Sequence, residues 1–323
     1  MYIKSAIKII TITCLVAILA SCASFQPAEK ELPPLRVEYT YWWGDFTILV
    51  AQELGLFEKY NVQVEPVYFE VFSEALPALA TGAVDGGLFA LGDTLNTNDN
   101  SPIKIVAVYD DGGTNYVIGS PEILTPADLR GKKIGVTLGT IYELFVMETL
   151  KQGGLTTRDV TLINTEVEDV PDNLGTTIDA GYAWDPFASD ALAAGGTLLF
   201  KSSEINTINP DVIVFSADVV QQRPEDIRAF IKAWFEAVEY RKSNPDEANQ
   251  IIAKALGVSI DEISEDSYIY TAQDNKSTIA VQTSSGSTKL EEAINANAEF
   301  LIRIGALSKK PAFDQLIDPS FIP

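Results

Sequence analysis

The chain has 323 residues, of which 46% are hydrophobic and 10% aromatic, and its 45 acidic residues outnumber 23 basic ones to give a formal charge of −22. This acidic excess repels nucleic acid and anionic lipid, and no basic cluster in the sequence reverses it. Histidine is absent, which excludes Ser-His-Asp and Cys-His catalysis and zinc sites built on imidazole.

The first 22 residues have the pattern of an export signal. Lys4 and Lys8 form a basic start, and residues 9–20 form an apolar stretch that is too short to span a membrane. Leu19-Ala20-Ser21-Cys22 then resembles the cleavage motif of bacterial lipoproteins, which implies cleavage after residue 21 and lipid on Cys22. An ordinary signal peptide and an uncleaved anchor are the alternatives. The motif predicts a chain attached to a membrane outside the cytoplasm, on its periplasmic or outer face.

The mature chain would run from Cys22 and would carry a charge of −24, because Lys4 and Lys8 leave with the signal. Cys14 leaves as well and Cys22 takes the lipid, so no thiol remains for disulfides, metal binding or nucleophilic catalysis. We expect neither a metal ion nor a cofactor. Residues 22–34 are polar and Pro-containing, which predicts a tether. The remaining length exceeds the usual size of one core and predicts two lobes.

From Leu35 onwards, short β-rich runs alternate with helical patterns, which is typical of an α/β fold with a largely parallel sheet. The predicted strands are 35–39, 63–68, 87–89, 103–109, 116–119, 133–137 and 211–215. The predicted helices are 46–54, 72–80, 141–152, one beginning at Pro224, one from Pro245 to Gly257, and 290–304.

The helix beginning near Pro224 has the clearest period in the chain. Its apolar residues recur at helical spacing and predict a stripe that packs into a core: Ile227, Phe230, Ile231, Trp234, Phe235 and Val238. Residues 271–288 are rich in Ser, Thr and small residues, and we interpret them as a loop.

Gly139 and Thr140 lie between a predicted strand and a predicted helix. The free N–H groups at a helix N-terminus favour a carboxylate, sulfonate or phosphate, and Tyr142 in the first turn would flank such a ligand. The alternative is that Gly139 only makes a tight turn and Thr140 only caps the helix.

Aromatic residues follow two predicted strands at the ends where ligands bind in open α/β sheets. Trp42 and Trp43 follow the first strand, and Trp184 with Asp185 precedes Pro186. Flat rings at these positions suit a flat ligand, and we expect Trp43 to face the ligand, Trp42 being the alternative, with the other Trp packed under the following helix.

Several acids lie near predicted strand ends: Asp45, Asp93, Asp110, Asp111 and Glu143. Each alone is more typical of solvated surface or of a helix cap. If several converge, they favour a ligand with amine, amidine or ring N–H donors over a simple anion.

Three segments together resemble the exported solute-binding proteins of ABC importers for nitrate, alkanesulfonates, taurine and thiamine-pyrimidine precursors. They are residues 51–62 (AQELGLFEKYNV, continued by 78–85), residues 128–136 (DLRGKKIGV, followed by Gly139-Thr140) and residues 178–186 (IDAGYAWDP). Asn61 stands where the family usually has Gly. Residues 110–113 (DDGG) replace a pattern that usually carries Ser or Asn before Gly.

The resemblance implies the α/β fold of periplasmic binding protein type II, with two lobes joined by two crossing segments and the ligand in the cleft between them. We expect lobe one to comprise residues 35–110 and 211–323, and lobe two residues 111–210. The partners implied are a small-molecule ligand, an ABC permease with its ATPase, and the membrane through Cys22. We expect a monomer.

The aromatic residues at strand ends favour a nitrogen heterocycle as ligand, either a thiamine pyrimidine precursor or a riboflavin-like flavin. Taurine, alkanesulfonates and nitrate are the alternatives within the family. Enzymatic activity is not expected, because the pyrimidine synthases of the same superfamily depend on a His and a Cys-rich motif that this chain lacks. A carboxylate-based extracellular enzyme is the remote alternative.

Overall fold

The computed structural model describes residues 32–98, 101–112, 115–204, 209–263 and 269–322. Two five-stranded sheets organise this part of the chain, and both belong to one unit spanning residues 34–323. The predicted signal, Cys22 and all of the tether before Leu32 lie outside the described residues. Among the described residues, no helix is long and apolar enough to cross a bilayer.

The first sheet has the strand order β2-β1-β3-β10-β4. Its strands are β1 (Leu35–Tyr39), β2 (Val64–Tyr68), β3 (Gly86–Ala90), β4 (Ile103–Val108) and β10 (Asp211–Ser216). Strands β1, β2 and β3 are parallel to one another, whereas β10 runs antiparallel to both neighbours. The chain therefore returns to the first sheet through β10, after it has built the second.

The second sheet has the strand order β7-β6-β8-β5-β9. Its strands are β5 (Asn115–Gly119), β6 (Lys133–Val136), β7 (Thr161–Asn164), β8 (Ala180–Trp184) and β9 (Thr197–Lys201). Here β5 is the strand that runs antiparallel to both of its neighbours. Each sheet thus has one reversed strand, and each reversed strand directly follows a passage of the chain between the sheets.

The helices cover the faces of the two sheets. They are α1 (Thr47–Glu53), α2 (Leu56–Lys59), α3 (Phe72–Thr81), α4 (Leu91–Asn98), α5 (Tyr142–Gln152), α6 (Val170–Asn173), α7 (Phe187–Ala193), α8 (Ala217–Gln222), α9 (Pro224–Ser243), α10 (Pro245–Leu256), α11 (Ala272–Ala280), α12 (Lys289–Ile304) and α13 (Phe313–Leu316). The mixed α/β fold expected from the sequence is confirmed.

The apolar stripe of α9 is buried as predicted, with Trp234 fully enclosed. It packs on α1 and α2 against one face of the first sheet, where the rings of Phe57 and Phe230 stack 5.6 Å apart. A second apolar cluster joins the other face of the first sheet to the interior of the second. This shared cluster places the two sheets close enough to enclose a site between them.

The predicted loop at residues 271–288 is wrong in its first half. Residues 272–280 form the helix α11, which begins at Thr271, where the side chains of Thr271 and Asp274 cap the first turn reciprocally. The buried side chains of the helix are Asn275, Thr278 and Ile279, so two of the three are polar. The side chain of Asn275 accepts a hydrogen bond from the Val108 N–H at 2.8 Å. Residues 272–280 therefore show no clear hydrophobic period, which is why the sequence did not predict a helix there.

Two segments connect the sheets, and their described parts lie side by side. The first leaves β4 at Tyr109, whose N–H donates to the Asp211 carbonyl at the start of β10. Farther along, a Cβ placed on Gly112 would lie only 1.9 Å from the Asn209 carbonyl oxygen, so the two backbones touch here. Gly112 also has a φ of +68°, which glycine tolerates best.

Candidate functional site

A cavity between the two sheets, called the inner cavity below, encloses about 450 Å³ including its opening to solvent. Both sheets and both connecting segments contribute to its wall. The lining residues are Thr40, Trp42, Asp45, Phe72, Leu88, Ala90, Tyr109, Gly112, Asn115, Tyr142, Tyr182, Trp184, Asn209 and Asp211. The wall combines aromatic rings with a few polar groups, as small-molecule sites do.

Aromatic rings form a continuous group on one side of the inner cavity. Phe72, at the start of α3, has its ring 5.5 Å from that of Trp184 and 6.1 Å from that of Tyr142. Tyr142 in turn stacks on Tyr182 at 4.6 Å. Because Phe72 comes from the side of the first sheet and the other three from the second, these ring contacts join the two halves of the site.

Asp45 is a buried carboxylate in the wall. It follows the Trp42 turn after β1 and accepts hydrogen bonds from the Thr40 N–H at 2.9 Å, the Thr40 hydroxyl at 3.0 Å and the Tyr109 hydroxyl at 2.6 Å. Burial raises the pKa of Asp45 to about 7, although these hydrogen bonds oppose the rise. Asp45 therefore exchanges a proton near neutral pH.

Asp93 lies behind the wall, at the start of α4. Its carboxylate accepts a hydrogen bond of 2.7 Å from the Tyr142 hydroxyl, which links the first-sheet side to the second. Burial raises the pKa of Asp93 to about 7, against the effect of the Tyr142 bond. Burial, followed by the charge of Asp93, holds the pKa of Tyr142 well above its ordinary value, so Tyr142 stays a donor.

Asp110 and Asp211 form a carboxyl pair on the two connecting segments. Asp110 Oδ1 accepts the N–H groups of Gly112 at 2.8 Å and of Asp211 at 3.1 Å, and Oδ2 accepts the indole N–H of Trp42 at 3.2 Å. The two carboxyl groups also hydrogen-bond each other. Burial, followed by the charge of Asp110, raises the pKa of Asp211 well above its ordinary value, so Asp211 holds the shared proton.

The wall contains no basic side chain among its described residues. Moreover, no group of three or more His, Cys, Asp or Glu residues in the described part of the chain is arranged to hold a metal ion. The carboxylates and rings together suit a flat ligand that offers N–H donors.

A second, larger cavity, the outer cavity, lies against the neighbouring residues of the same loops. It is lined by Tyr41, Trp43, Tyr68, Glu70, Val71, Glu168, Asp169, Asp185, Pro186, Phe187, Ser189, Asp190, Asp261, Glu262 and Ile263. Trp42 and Trp184 thus line the inner cavity, while the next residue after each, Trp43 and Asp185, lines the outer one.

The residues proposed from the sequence fall into three groups. Trp42, Asp45, Tyr142 and Trp184 line the inner cavity, with Asp93 one hydrogen bond behind it. Trp43 and Asp185 line the outer cavity. Asp111, Gly139 and Thr140 line neither. The structure therefore places Trp42, rather than Trp43, beside the carboxylates.

The Gly139-Thr140 turn has an internal anion at the helix N-terminus. The Gly139 N–H donates to Glu143 Oε1 at 2.7 Å, and the Thr140 hydroxyl donates to the Thr137 carbonyl at 2.7 Å. Thr140 Oγ1 also accepts the Tyr142 N–H at 3.2 Å. The turn thus supplies its own acceptor, and its contacts match the capping alternative.

Sequence reasoning did not single out several wall residues, including Asp211, Asn209, Phe72 and Asn115. Asp211 opens an apolar strand, so in sequence it resembles a polar strand boundary. Only its pairing with Asp110 across the two connecting segments distinguishes it. The one available signal was that Asp110 and Asp211 flank the two predicted crossings.

Two α/β sheets joined by adjacent connecting segments, with an aromatic and acidic cavity between them, have the architecture of a two-lobed solute-binding protein. The family model described as NMT1/THI5 like matches residues 45–248, and the chain belongs to this family. It is a solute-binding protein of the ABC-importer type, and two of its relatives are named as periplasmic proteins.

Two relatives show the range of similarity. A protein named "Putative binding protein BAB2_1146", from Brucella abortus (strain 2308), is 29% identical over 231 residues, covering 70% of this chain and 72% of its own length. The taurine-binding periplasmic protein of Escherichia coli (strain K12) is 26% identical over 204 residues, covering 61% and 63%.

Two solved structures share the fold. The alkanesulfonate-binding protein SsuA from Xanthomonas axonopodis pv. citri, bound to MOPS, has a TM-score of 0.71 at 16% identity and covers 89% of this chain and 99% of its own. The desulfurization enzyme DSZB has a TM-score of 0.67 at 17% identity, covering 90% and 98%. The fold therefore occurs in receptors and in an enzyme, whereas the sequence relatives above are named as binding proteins.

Proposed function

We propose that this chain is the lipid-anchored binding protein of its importer and that it captures a small nitrogen heterocycle in the inner cavity for delivery to the permease. The observation that carries the ligand class is the wall of that cavity, in which Asp45 and Asp211 lie among aromatic rings without a basic side chain. A thiamine pyrimidine precursor fits this description, as does a riboflavin-like flavin.

Both parts of the wall match such a ligand. The faces of Trp42, Tyr142 and Trp184 would cover a flat ring, and the carboxylates would accept its amino or ring N–H groups. The free space of about 450 Å³ includes open solvent at the cavity mouth, so the enclosed part is smaller and suits a one-ring pyrimidine better than a three-ring flavin.

The two lobes that close on the ligand would follow the sheets. Lobe one would comprise residues 35–110 and 211–323 and lobe two residues 111–210, with Asp110 and Asp211 at the two boundaries. A binding protein of this kind works as a monomer, and no catalytic step is assigned to it.

Taurine, an alkanesulfonate or nitrate is the second candidate, favoured by what the names of the relatives say they bind. Such ligands need donors for oxygen atoms with negative charge. The buried acids of the inner cavity would repel these anions, and Glu143 already occupies the Gly139 N–H. We therefore rank these ligands below the heterocycle.

A thermal-shift panel tests the ligand class. Protein lacking residues 1–22 would be heated with 4-amino-5-hydroxymethyl-2-methylpyrimidine, riboflavin, taurine, an alkanesulfonate and nitrate. We expect the pyrimidine to raise the melting temperature by several degrees, about 3 kcal/mol of stabilisation at a hundredfold excess over Kd. A shift with sulfonates or nitrate alone would refute the ligand class, and conversion of a bound compound would refute the receptor function.

The anchor is tested separately in cells that express the full chain. Cys22 should incorporate labelled fatty acid, and the protein should sediment with membranes. Cys22→Ser should abolish the label and release the protein, whereas Cys14→Ser should change neither. Membrane retention without label in the Cys22→Ser variant would instead support an uncleaved anchor.

A further inference from the structure

We infer that the inner cavity binds its ligand as a cation, and that the Asp110–Asp211 carboxyl pair releases its shared proton when that cation arrives. This rests on the proposed function, because it assigns the charge of the ligand in the same cavity. One proton leaves as one positive charge enters, so the total charge of the site is unchanged. No bond other than that to the proton is made or broken.

The first observation is the sign of every charged group near the cavity. Asp45 and Asp211 are in the wall, and Asp93 and Asp110 each lie one hydrogen bond behind it. Arg241 is buried nearby, but it donates to the Trp43 carbonyl at 3.0 Å and the Thr47 hydroxyl at 2.7 Å instead of to these acids. Burial raises the pKa of Asp45, Asp110 and Asp211, and no basic side chain lines the described cavity wall, so protons rather than cations balance these acids.

The second observation is a buried acceptor without a partner. Glu38 is fully buried, its Oε2 accepts the Leu88 N–H at 3.2 Å, and its Oε1 has no hydrogen-bond partner. Glu38 is in β1 and is not itself a lining residue, but Leu88, which donates to it, does line the inner cavity. This carboxyl group, whose pKa burial raises well above its ordinary value, therefore lies directly behind the wall.

The third observation is the aromatic wall. Rings of Trp, Tyr and Phe attract cations through the negative charge of their faces, most strongly where water is excluded. Phe72, Tyr142 and Trp184 lie within 5.4 to 6.1 Å of one another, and Trp42 is held to Asp110 by its indole N–H. A cation would thus meet ring faces and carboxylates together.

The carboxyl pair accounts for the proton. Two hydrogen-bonded carboxyl groups share one proton, because both cannot be ionised so close together. A cation beside Asp211 removes that obstacle, and the proton then goes to solvent. Asp110 already accepts two backbone N–H groups and an indole N–H, so it is the stable anion and Asp211 is the donor.

The charged groups that face this pair also oppose a second negative charge on it. Asp45 and Asp93 face Asp211, and Asp111 faces Asp110, each raising the cost of a second negative charge. The nearby tyrosines, whose pKa values are raised above their ordinary range, stay neutral: Tyr109, Tyr142, Tyr182 and Tyr270. Binding of a cation is therefore expected to strengthen as pH rises through about 7, the pKa of Asp45.

Calorimetry with a matched pair of probes tests the inference. N-methylpyridinium and toluene have nearly the same shape and differ in charge, so each would be titrated into the mature chain at pH 7. We expect N-methylpyridinium to bind about tenfold more tightly or better, the factor expected for a cation over desolvated rings. Its apparent binding enthalpy should vary linearly with the ionisation enthalpy of the buffer, with a sign that shows proton release.

Asp211→Asn provides the residue-specific readout. The amide keeps a donor for Asp110, so the fold should persist, but it cannot lose a proton. The variant should bind N-methylpyridinium at least several-fold more weakly and release fewer protons, whereas the exposed control Asp218→Asn should behave like the parent. Equal binding of toluene, absence of N-methylpyridinium binding, or tight binding without proton release would each overturn the inference. The proposed function would fail separately, if the thermal-shift panel also gave no response.

Discussion

Trp42 and Trp43 are neighbours in sequence but have different surroundings. Trp42 is half-buried in the inner wall and donates its indole N–H to Asp110. Trp43 is 5% exposed and packs on Tyr41 and Phe46, with ring centroids 5.9 and 5.6 Å away. Trp43 therefore serves packing, whereas Trp42 contacts the ligand under the proposed function.

Alanine substitutions should separate these purposes. Trp43→Ala should lower the free energy of unfolding by about 3–5 kcal/mol, the usual loss for a buried Trp. Trp42→Ala should cost less stability and should weaken ligand binding tenfold or more, because a stacking face and the Asp110 contact are lost. Chemical denaturation and titration of each variant would measure both quantities. Strong binding by Trp42→Ala would remove this residue from the site.

Asp93 should make the stability of the protein depend on pH. Its pKa is about 7 in the fold, above the ordinary value of 3.8, so between pH 4 and 7 the folded chain binds a proton that the unfolded chain lacks. Stability is then highest at low pH and falls as pH rises through about 7, by at most about 4 kcal/mol for one such group.

Asp93→Asn should flatten this part of the pH profile, because the amide accepts the Tyr142 hydroxyl without titrating. Denaturant unfolding from pH 4.5 to 8 would measure the slope. The exposed Glu122→Gln serves as the control and should leave the profile unchanged. An equal slope in Asp93→Asn and the parent would show that other acids set the pH dependence.

At the scale of elements, the close approach of the two connecting segments restricts what Gly112 can become. Gly112→Ala would add strain at φ +68° and would force a Cβ to within 1.9 Å of the Asn209 carbonyl oxygen. Gly257 has a similar φ of +73°, with nothing within 4 Å of its would-be Cβ. The two glycines therefore share a left-handed backbone conformation, but only Gly112 has no room for a Cβ atom.

We expect Gly257→Ala to cost about 1 kcal/mol of stability from the backbone alone, and Gly112→Ala about 1–3 kcal/mol more from the overlap. Gly112→Ala should also weaken ligand binding, because its loop carries the cavity wall and Asp110. Thermal unfolding and titration of both variants would test this. Equal losses in the two variants would mean that the segments separate easily.

Helices α9 and α11 differ in how well the sequence predicts them. The stripe of α9 was predictable because each apolar residue recurs at helical spacing and is buried. Helix α11 was missed, because its buried face carries Asn275 and Thr278, and its start signal, Thr271 with Asp274, was not read as a cap. Polar tertiary contacts hold that helix in place, and a search for hydrophobic periodicity does not detect them.

The residues of the inner cavity were likewise only partly predictable from the sequence. Residues after the first and eighth strands were predictable as wall residues, because ligands bind at such strand ends, and Trp42, Asp45 and Trp184 do line the inner cavity. Which of Trp42 and Trp43 lines the inner cavity depends on the conformation of the turn after β1, and the sequence pattern does not distinguish these adjacent residues. The partnership of Asp110 with Asp211 depends on the meeting of segments 101 residues apart.

At the scale of the whole molecule, the two sheets use their shared cluster to hold aromatic rings and acids around one cavity. The formal net charge of −22 and the acids of the outer cavity would attract cations toward the site and repel anions. The charge distribution and the inner wall therefore favour the same class of ligand, opposite in sign to a sulfonate.

A crystal structure of the mature chain with the pyrimidine from the panel would test the central claim most directly. We predict electron density for the ring in the inner cavity, between Trp42, Tyr142 and Trp184, with its amino group within hydrogen-bond distance of Asp45 or Asp211. Density for the pyrimidine at Gly139 or only in the outer cavity, or an empty inner cavity at saturating ligand, would contradict it.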